Sequence, residues 1–144
     1  MRVDFFEDKE LKDVRVIVQA PSRTDDVEEL IDLISSFSPS PITGYSEGTV
    51  TRVSKGSIIR IYSKDKRVYA DTSDGPVVIR SPLYQLEDEL PRNFVRISNS
   101  EIVNSDKIIR LEMNPSGRIR MLLEGDIESL VSRRYIRKVK EALL

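Results

Sequence analysis

Residues 91–140 read PRNFVRISNSEIVNSDKIIRLEMNPSGRIRMLLEGDIESLVSRRYIRKVK, and the fold is decided here. Five short runs follow Pro91: Val95–Ile97, Glu101–Val103, Lys107–Met113, Arg118–Leu123 and Ile127–Val131. Their apolar residues are β-branched or alternate with polar ones, and the runs have the length of strands rather than helices. Asn114-Pro115-Ser116-Gly117 is a turn signature, with proline presetting φ and glycine closing the reversal. Ser132 predicts the N-cap of a terminal helix whose inner face is Ile136, Val139 and Leu143.

Working toward the amino terminus, the same texture continues. Thr49–Val53, Ile58–Tyr62, Arg67–Thr72 and Val77–Ile79 are further β-type runs, separated by Lys55-Gly56, Lys64-Asp65 and Ser73-Asp74-Gly75. Between them and Pro91, Ser81-Pro82 predicts the start of a short helix with Leu83, Leu86 and Leu90 on one face. Ser38-Pro39-Ser40-Pro41 marks a linker. The front differs. Arg2–Phe6 and Val14–Val18 read as strands, and Thr24 caps a helix with Asp25 and Asp26 in its first turn. Val27, Leu30, Ile31, Ile34 and Phe37 recur at helical spacing, and Leu33 widens that arc. Many short strands with few helices predict a mainly antiparallel β unit.

Composition narrows the chemistry. The chain has 144 residues, no cysteine and no histidine, so disulfides, thiol nucleophiles and His-based zinc or triad sites are excluded. No apolar run approaches a membrane span, and the acidic amino terminus is unlike a signal peptide. A cytoplasmic location is expected. The net charge of −1 conceals a division. Residues 1–48 hold 5 Lys/Arg against 11 Asp/Glu, whereas residues 49–144 hold 18 against 13. An acidic front with a basic back suggests a regulatory part joined to a part that meets a polyanion.

Several residues could carry that contact. Arg133, Arg134, Arg137, Lys138 and Lys140 crowd the last basic stretch. Lys138 and Lys140 suit a helix carboxyl end, but Arg133 and Arg134 would stand where a helix dipole disfavours them. The order from the FVRISNSEIVN segment (Phe94–Asn104) to Ser132-Arg133-Arg134-Tyr135 closely resembles the LytTR family of bacterial DNA-binding regulators. The resemblance spans about Gly48 to Leu143. It implies a stack of small antiparallel β-sheets with short helices, here preceded by a small ββα-like amino-terminal unit. The expected division is residues 1–47 as an acidic extension and residues 48–144 as the DNA-binding domain.

The resemblance also implies a reading surface of loops at one end of the sheets. Its members would be Lys64 and Lys66 in the loop after Tyr62, Asn99 and Ser100 in the next turn, and Arg133, Arg134 and Arg137 near the end. Lys66 falls where some members have a histidine, and Arg134 matches the family's major-groove arginine, whose fork suits both guanine acceptors. Asn99 matches a DNA-contacting asparagine, although an asparagine in a tight turn also bonds its own backbone. Asn104, Phe94 and Tyr62 read as structural. The partner implied is double-stranded DNA, with no cofactor, metal or small-molecule substrate. The first 48 residues are too short for a receiver domain. A homodimer is expected, because one small module on a few base pairs binds weakly, and the apolar face of Val27 to Phe37 and the strand of Val14 to Val18 could pair two chains. A small membrane protein that restrains the regulator is a further expectation from the resemblance.

The same residues are open to two other classes of function. A protein-interaction or sensory module could use the same basic face against an acidic partner or lipid headgroups. Catalysis would need carboxylates; the densest group, Glu87-Asp88-Glu89, reads as the solvated side of a leucine-faced helix. RNA binding would draw on the same phosphate contacts.

Overall fold

A computed structural model of the chain describes residues 1–11, 14–36 and 41–144. The chain divides into two compact units, Met1–Phe37 and Ser38–Leu144. In the first unit, α1 spans Asp25–Ser36. Thr24 Oγ1 accepts from Val27 N at 3.4 Å and its carbonyl accepts from Glu28 N at 2.9 Å, as the N-cap reading expected. Val27, Leu30, Ile31 and Ile34 are half-buried. Phe37 lies outside the described residues.

The two amino-terminal strands are not formed: neither 2–6 nor 14–18 is a strand, so the unit is not ββα. Their apolar side chains are largely exposed, Phe5 and Phe6 by 88% and 85%. Two isolated strands are marginal without a third or a packing helix, and alternation alone does not supply that surface.

The second unit is built on a seven-stranded antiparallel sheet of order β2-β1-β5-β4-β3-β7-β6, with a separate three-stranded sheet β10-β9-β8. The strands are β1 Ile42–Ser46, β2 Thr49–Val53, β3 Ile58–Lys64, β4 Arg67–Thr72, β5 Gly75–Ile79, β6 Phe94–Ser98, β7 Glu101–Asn104, β8 Ile108–Met113, β9 Ile119–Leu123 and β10 Ile127–Leu130. Helices α2 (Leu83–Glu89) and α3 (Ile136–Leu143) complete it. All nine strands expected after the linker are present. Strand β1 was not foreseen, because Ile42-Thr43-Gly44-Tyr45-Ser46 carries a glycine that weakens the strand pattern. Gly44 is there for space: an added Cβ would lie 2.9 Å from Val77 Cγ2.

Side chains alternate across the large sheet and feed two cores. On one face Ile61, Ala70, Ile79 and Ile102 pack under Leu83, Leu86 and Leu90 of the α2 segment. On the other, Val95, Ile97 and Val103 meet Ile119, Met121 and Leu123 of β9 and Val139 of α3. A register shift between Ile58 and Arg60 lets Ile58 and Ile61 face the first core and Ile59 the second. Asn104 is structural, as expected: it is buried, donates to Ile58 O at 2.9 Å and accepts from Asp106 N at 3.0 Å. Phe94 packs against the first core.

Two helix starts differ from expectation. Pro82, not Ser81, holds the N-cap position of α2. Ser132 makes no side-chain cap; a 3-10 turn, Arg133–Tyr135, precedes α3. Arg133 and Arg134 therefore precede the α-helix, and the dipole argument does not apply to them.

Candidate nucleic-acid interface

The strand register brings the expected reading residues to one end of the large sheet. Strands β3 and β4 are joined by Asp65-Lys66, since Lys64 pairs with Arg67. Both turn residues have positive φ, 52° and 64°, the geometry of a two-residue hairpin turn that usually takes Asn-Gly. Strands β6 and β7 are joined by Asn99-Ser100, with Ser98 opposite Glu101. The pairing of Tyr62 with Glu101 sets these two turns side by side, and Ser63 N donates to Ser100 O at 2.8 Å.

The third segment arrives from β10. Ser132 N donates to Ile97 O at 2.9 Å, which lays the 133–135 turn along the end of β6. Tyr135 Oη then donates to Asn99 Oδ1 at 3.0 Å. Lys66 and Asn99 also line one groove of about 1200 Å3 on the α2 side of the sheet. The structure thus gathers Lys64, Lys66, Asn99, Ser100, Arg133 and Arg134 at that end of the sheet. Arg137 stands one step away on α3 and faces Glu141 at 3.5 Å.

Two networks hold this end. Arg96 donates to Ser98 O at 2.7 Å and to Asn99 O at 2.6 Å, so it clamps the 98–100 turn from below. Its remaining nitrogen bonds Glu87 at 2.7 Å, and Glu87 also takes Lys138 at 2.9 Å. Bonds from Lys138 and Arg96 hold the Glu87 carboxyl below its usual range. Glu87 is thus more than the solvated side of α2: it ties α2, β6 and α3. On the opposite face Arg60 joins Asp71 at 2.7 Å and Glu101 at 3.6 Å. Ser129 Oγ donates to Glu101, linking the small sheet to the large one. Burial pushes the Glu101 carboxyl up despite Ser129 and Arg60. Burial works to lower the Arg60 guanidinium, yet Asp71 and Glu101 keep it above its usual range. Tyr62 stacks on Tyr69 with ring centroids 5.5 Å apart and lies under Arg60, so it is structural.

The cations divide accordingly. Arg60, Arg96, Lys107, Arg110, Arg120, Arg137 and Lys138 have carboxylate partners. Among the described residues Lys64, Lys66, Arg67, Arg133 and Arg134 have none, and all five are exposed. Arg92, Arg118 and Lys140 are also unpaired, so what sets this end apart is unpaired cations on both sides of an amide. Arg67 and Arg80 were not among the expected site residues. The pairing of Val68 with Ile79 places Arg80 beside Arg67, and Arg80 lies 3.8 Å over the Tyr45 ring. Only register could have found Arg80. No group of three or more Asp, Glu, His or Cys suited to a metal occurs among the described residues, and no helix there is long and apolar enough to cross a membrane.

Known proteins share this architecture and sequence. The LytTr DNA-binding domain of a protein described as a methyl-accepting/DNA response regulator from Bacillus cereus superposes with a TM-score of 0.70, covering 74% of this chain and 98% of that one at 20% identity. An uncharacterized HTH-type transcriptional regulator of Staphylococcus aureus (strain NCTC 8325) is 32% identical over 99% of this chain and 98% of its own length. A counterpart in strain MRSA252 is 31% identical over the same shares. Those names mention a helix-turn-helix, but α2 and α3 here are separated by five strands. Residues 48–144 match the LytTr DNA-binding domain, and the chain belongs to that family.

Proposed function

We propose that this protein is a sequence-specific double-stranded DNA-binding transcriptional regulator that performs no catalysis and works in the cytoplasm. One observation carries the reading most: unpaired cations of the 64–67 hairpin and of the 133–134 turn flank an exposed asparagine at one end of the large sheet. Lys64, Lys66 and Arg133 would replace counterions along the phosphates, and Ser100 and Arg137 would contact backbone at the margins. Arg134 would take a guanine edge through its fork, and Asn99 a base edge through its amide. The family match and the regulator relatives support the same reading. The acidic front is the part we assign to pairing with a second copy. The restraining small membrane protein that the family resemblance implies would also act there.

The test is selection from random genomic fragments at physiological salt. Recovery of a shared sequence, bound with affinity that falls steeply as salt rises, is the expected result. Equal retention of all fragments would leave only a non-specific polyanion binder.

A further inference from the structure

We propose that Tyr135 is a positioning residue for readout: its hydroxyl fixes the Asn99 amide so that the two Nδ2 hydrogens, and not the oxygen, face the duplex. The inference rests on the DNA-binding reading and deepens it. A phenol donates strongly but accepts weakly, because its oxygen lone pair is delocalised into the ring. The amide therefore meets it with Oδ1, 3.0 Å away. The main-chain oxygen of Asn99 is taken by Arg96 at 2.6 Å. Both oxygens of Asn99 are thus engaged within the protein, while Nδ2 has no protein acceptor among the described residues and the side chain is exposed.

Tyr135 is itself held in place. Its backbone N donates to Ser132 O at 2.9 Å, Ser132 N is fixed to Ile97 O, and the half-buried ring packs against the second core. The turn that aims Tyr135 also carries Arg133 and Arg134. One hydrogen bond thereby sets the spacing between the amide and the guanidinium that read the duplex. Asn99 then acts toward acceptors, namely base N and O edges or phosphate oxygens. A base donor such as cytosine N4 would have to share Oδ1 with the Tyr135 hydroxyl, which disfavours it relative to an acceptor.

Tyr135→Phe keeps the ring and removes only the hydroxyl. The experiment compares wild type, Tyr135→Phe, Asn99→Ala, Arg134→Ala and the Tyr135→Phe/Asn99→Ala pair. It reads base preference on selected duplexes and, in the free protein, the side-chain amide NMR signals of Asn99. Tyr135→Phe should move those signals and weaken discrimination about three- to tenfold at the base pairs that Asn99→Ala also relaxes. It should leave the salt slope and melting temperature unchanged and add nothing in the Asn99→Ala background. Full discrimination by Tyr135→Phe where Asn99→Ala has lost it overturns the inference. If Asn99→Ala keeps its preference while Arg134→Ala relaxes it, the DNA reading stands and this inference falls. If wild type selects no sequence, both fall.

Discussion

At the scale of single residues, an exposed guanidinium with no carboxylate beside it keeps all its donors for a ligand, whereas a paired one must first be released. Arg134 and Arg137 offer that comparison three positions apart. Arg134 is unpaired in the 3-10 turn, while Arg137 faces Glu141 on α3. Arg134→Ala is expected to cost about 1–3 kcal/mol of binding and to relax preference at one base pair. Arg137→Ala should weaken all duplexes alike and lower the salt slope by about one. Binding isotherms on point-substituted duplexes over a range of salt check both; a uniform loss for Arg134→Ala would reduce it to a phosphate contact. Lys66 invites a different argument. It holds φ 64° without being glycine, a conformation that costs an L-residue about 1–2 kcal/mol. Lys66→Gly should therefore leave stability unchanged or raise it by up to about 1 kcal/mol while DNA binding weakens. Denaturant melts beside binding curves would show this, and a variant that lost both would mean the side chain supports the hairpin.

Among the elements, Glu87 is the joint, since one carboxylate holds α2 to Arg96 of β6 and Lys138 of α3. Its folded pKa is lowered by Lys138 and Arg96. The stability it contributes is therefore present above the ordinary carboxylate pKa and is lost as pH falls through the lowered value. Glu101 has the opposite sign. Burial raises its pKa, so its charged form disfavours the fold, and its protonation restores stability as pH falls from the raised value toward the ordinary one. Glu87→Gln should cost about 1 kcal/mol at neutral pH, and nearly nothing once pH falls well below the carboxylate range. A melting series against pH for the two proteins tests this; a constant gap would mean that amide and carboxylate differ in packing rather than charge. The elements joined by Glu87 were legible in the sequence, because the β-branched alternation of β6, the leucine face of α2 and the apolar spacing of α3 are local signals. The joint was not. Glu87 and Lys138 are 51 positions apart, and Glu87 looked like solvated charge. The same limit hid Arg80, which only the β4–β5 register sets beside Arg67. Ser132 misled in a different way, because its cap pattern is compatible with a 3-10 start, and the Arg133–Tyr135 turn follows from contacts with β6.

The whole molecule joins two units of opposite character. Met1–Phe37 is acidic, carries exposed Val3, Phe5 and Phe6, and forms a single helix among its described residues. A unit this small is below the roughly 40 residues at which a chain usually buries an adequate core alone. Two consecutive phenylalanines left exposed in so small a unit suit contact with a partner, and a second copy is always at hand. Two acidic units repel each other, while their apolar side chains gain by leaving water. Screening is therefore expected to strengthen the proposed pairing as salt rises. DNA binding through the proposed 64–67 and 133–134 cations is expected to weaken over the same range. The two equilibria are expected to move in opposite directions between about 50 and 500 mM salt, beyond which surface charges are largely screened. Sedimentation at tens of micromolar should show dimers gaining with salt, and Phe5→Asp/Phe6→Asp should yield monomers. That variant should bind a single half-site as wild type does, yet lose cooperativity on a duplex carrying two half-sites. A wild type that stays monomeric at every salt, or a variant that keeps its cooperativity, would assign the pairing elsewhere and leave the acidic front to a different partner.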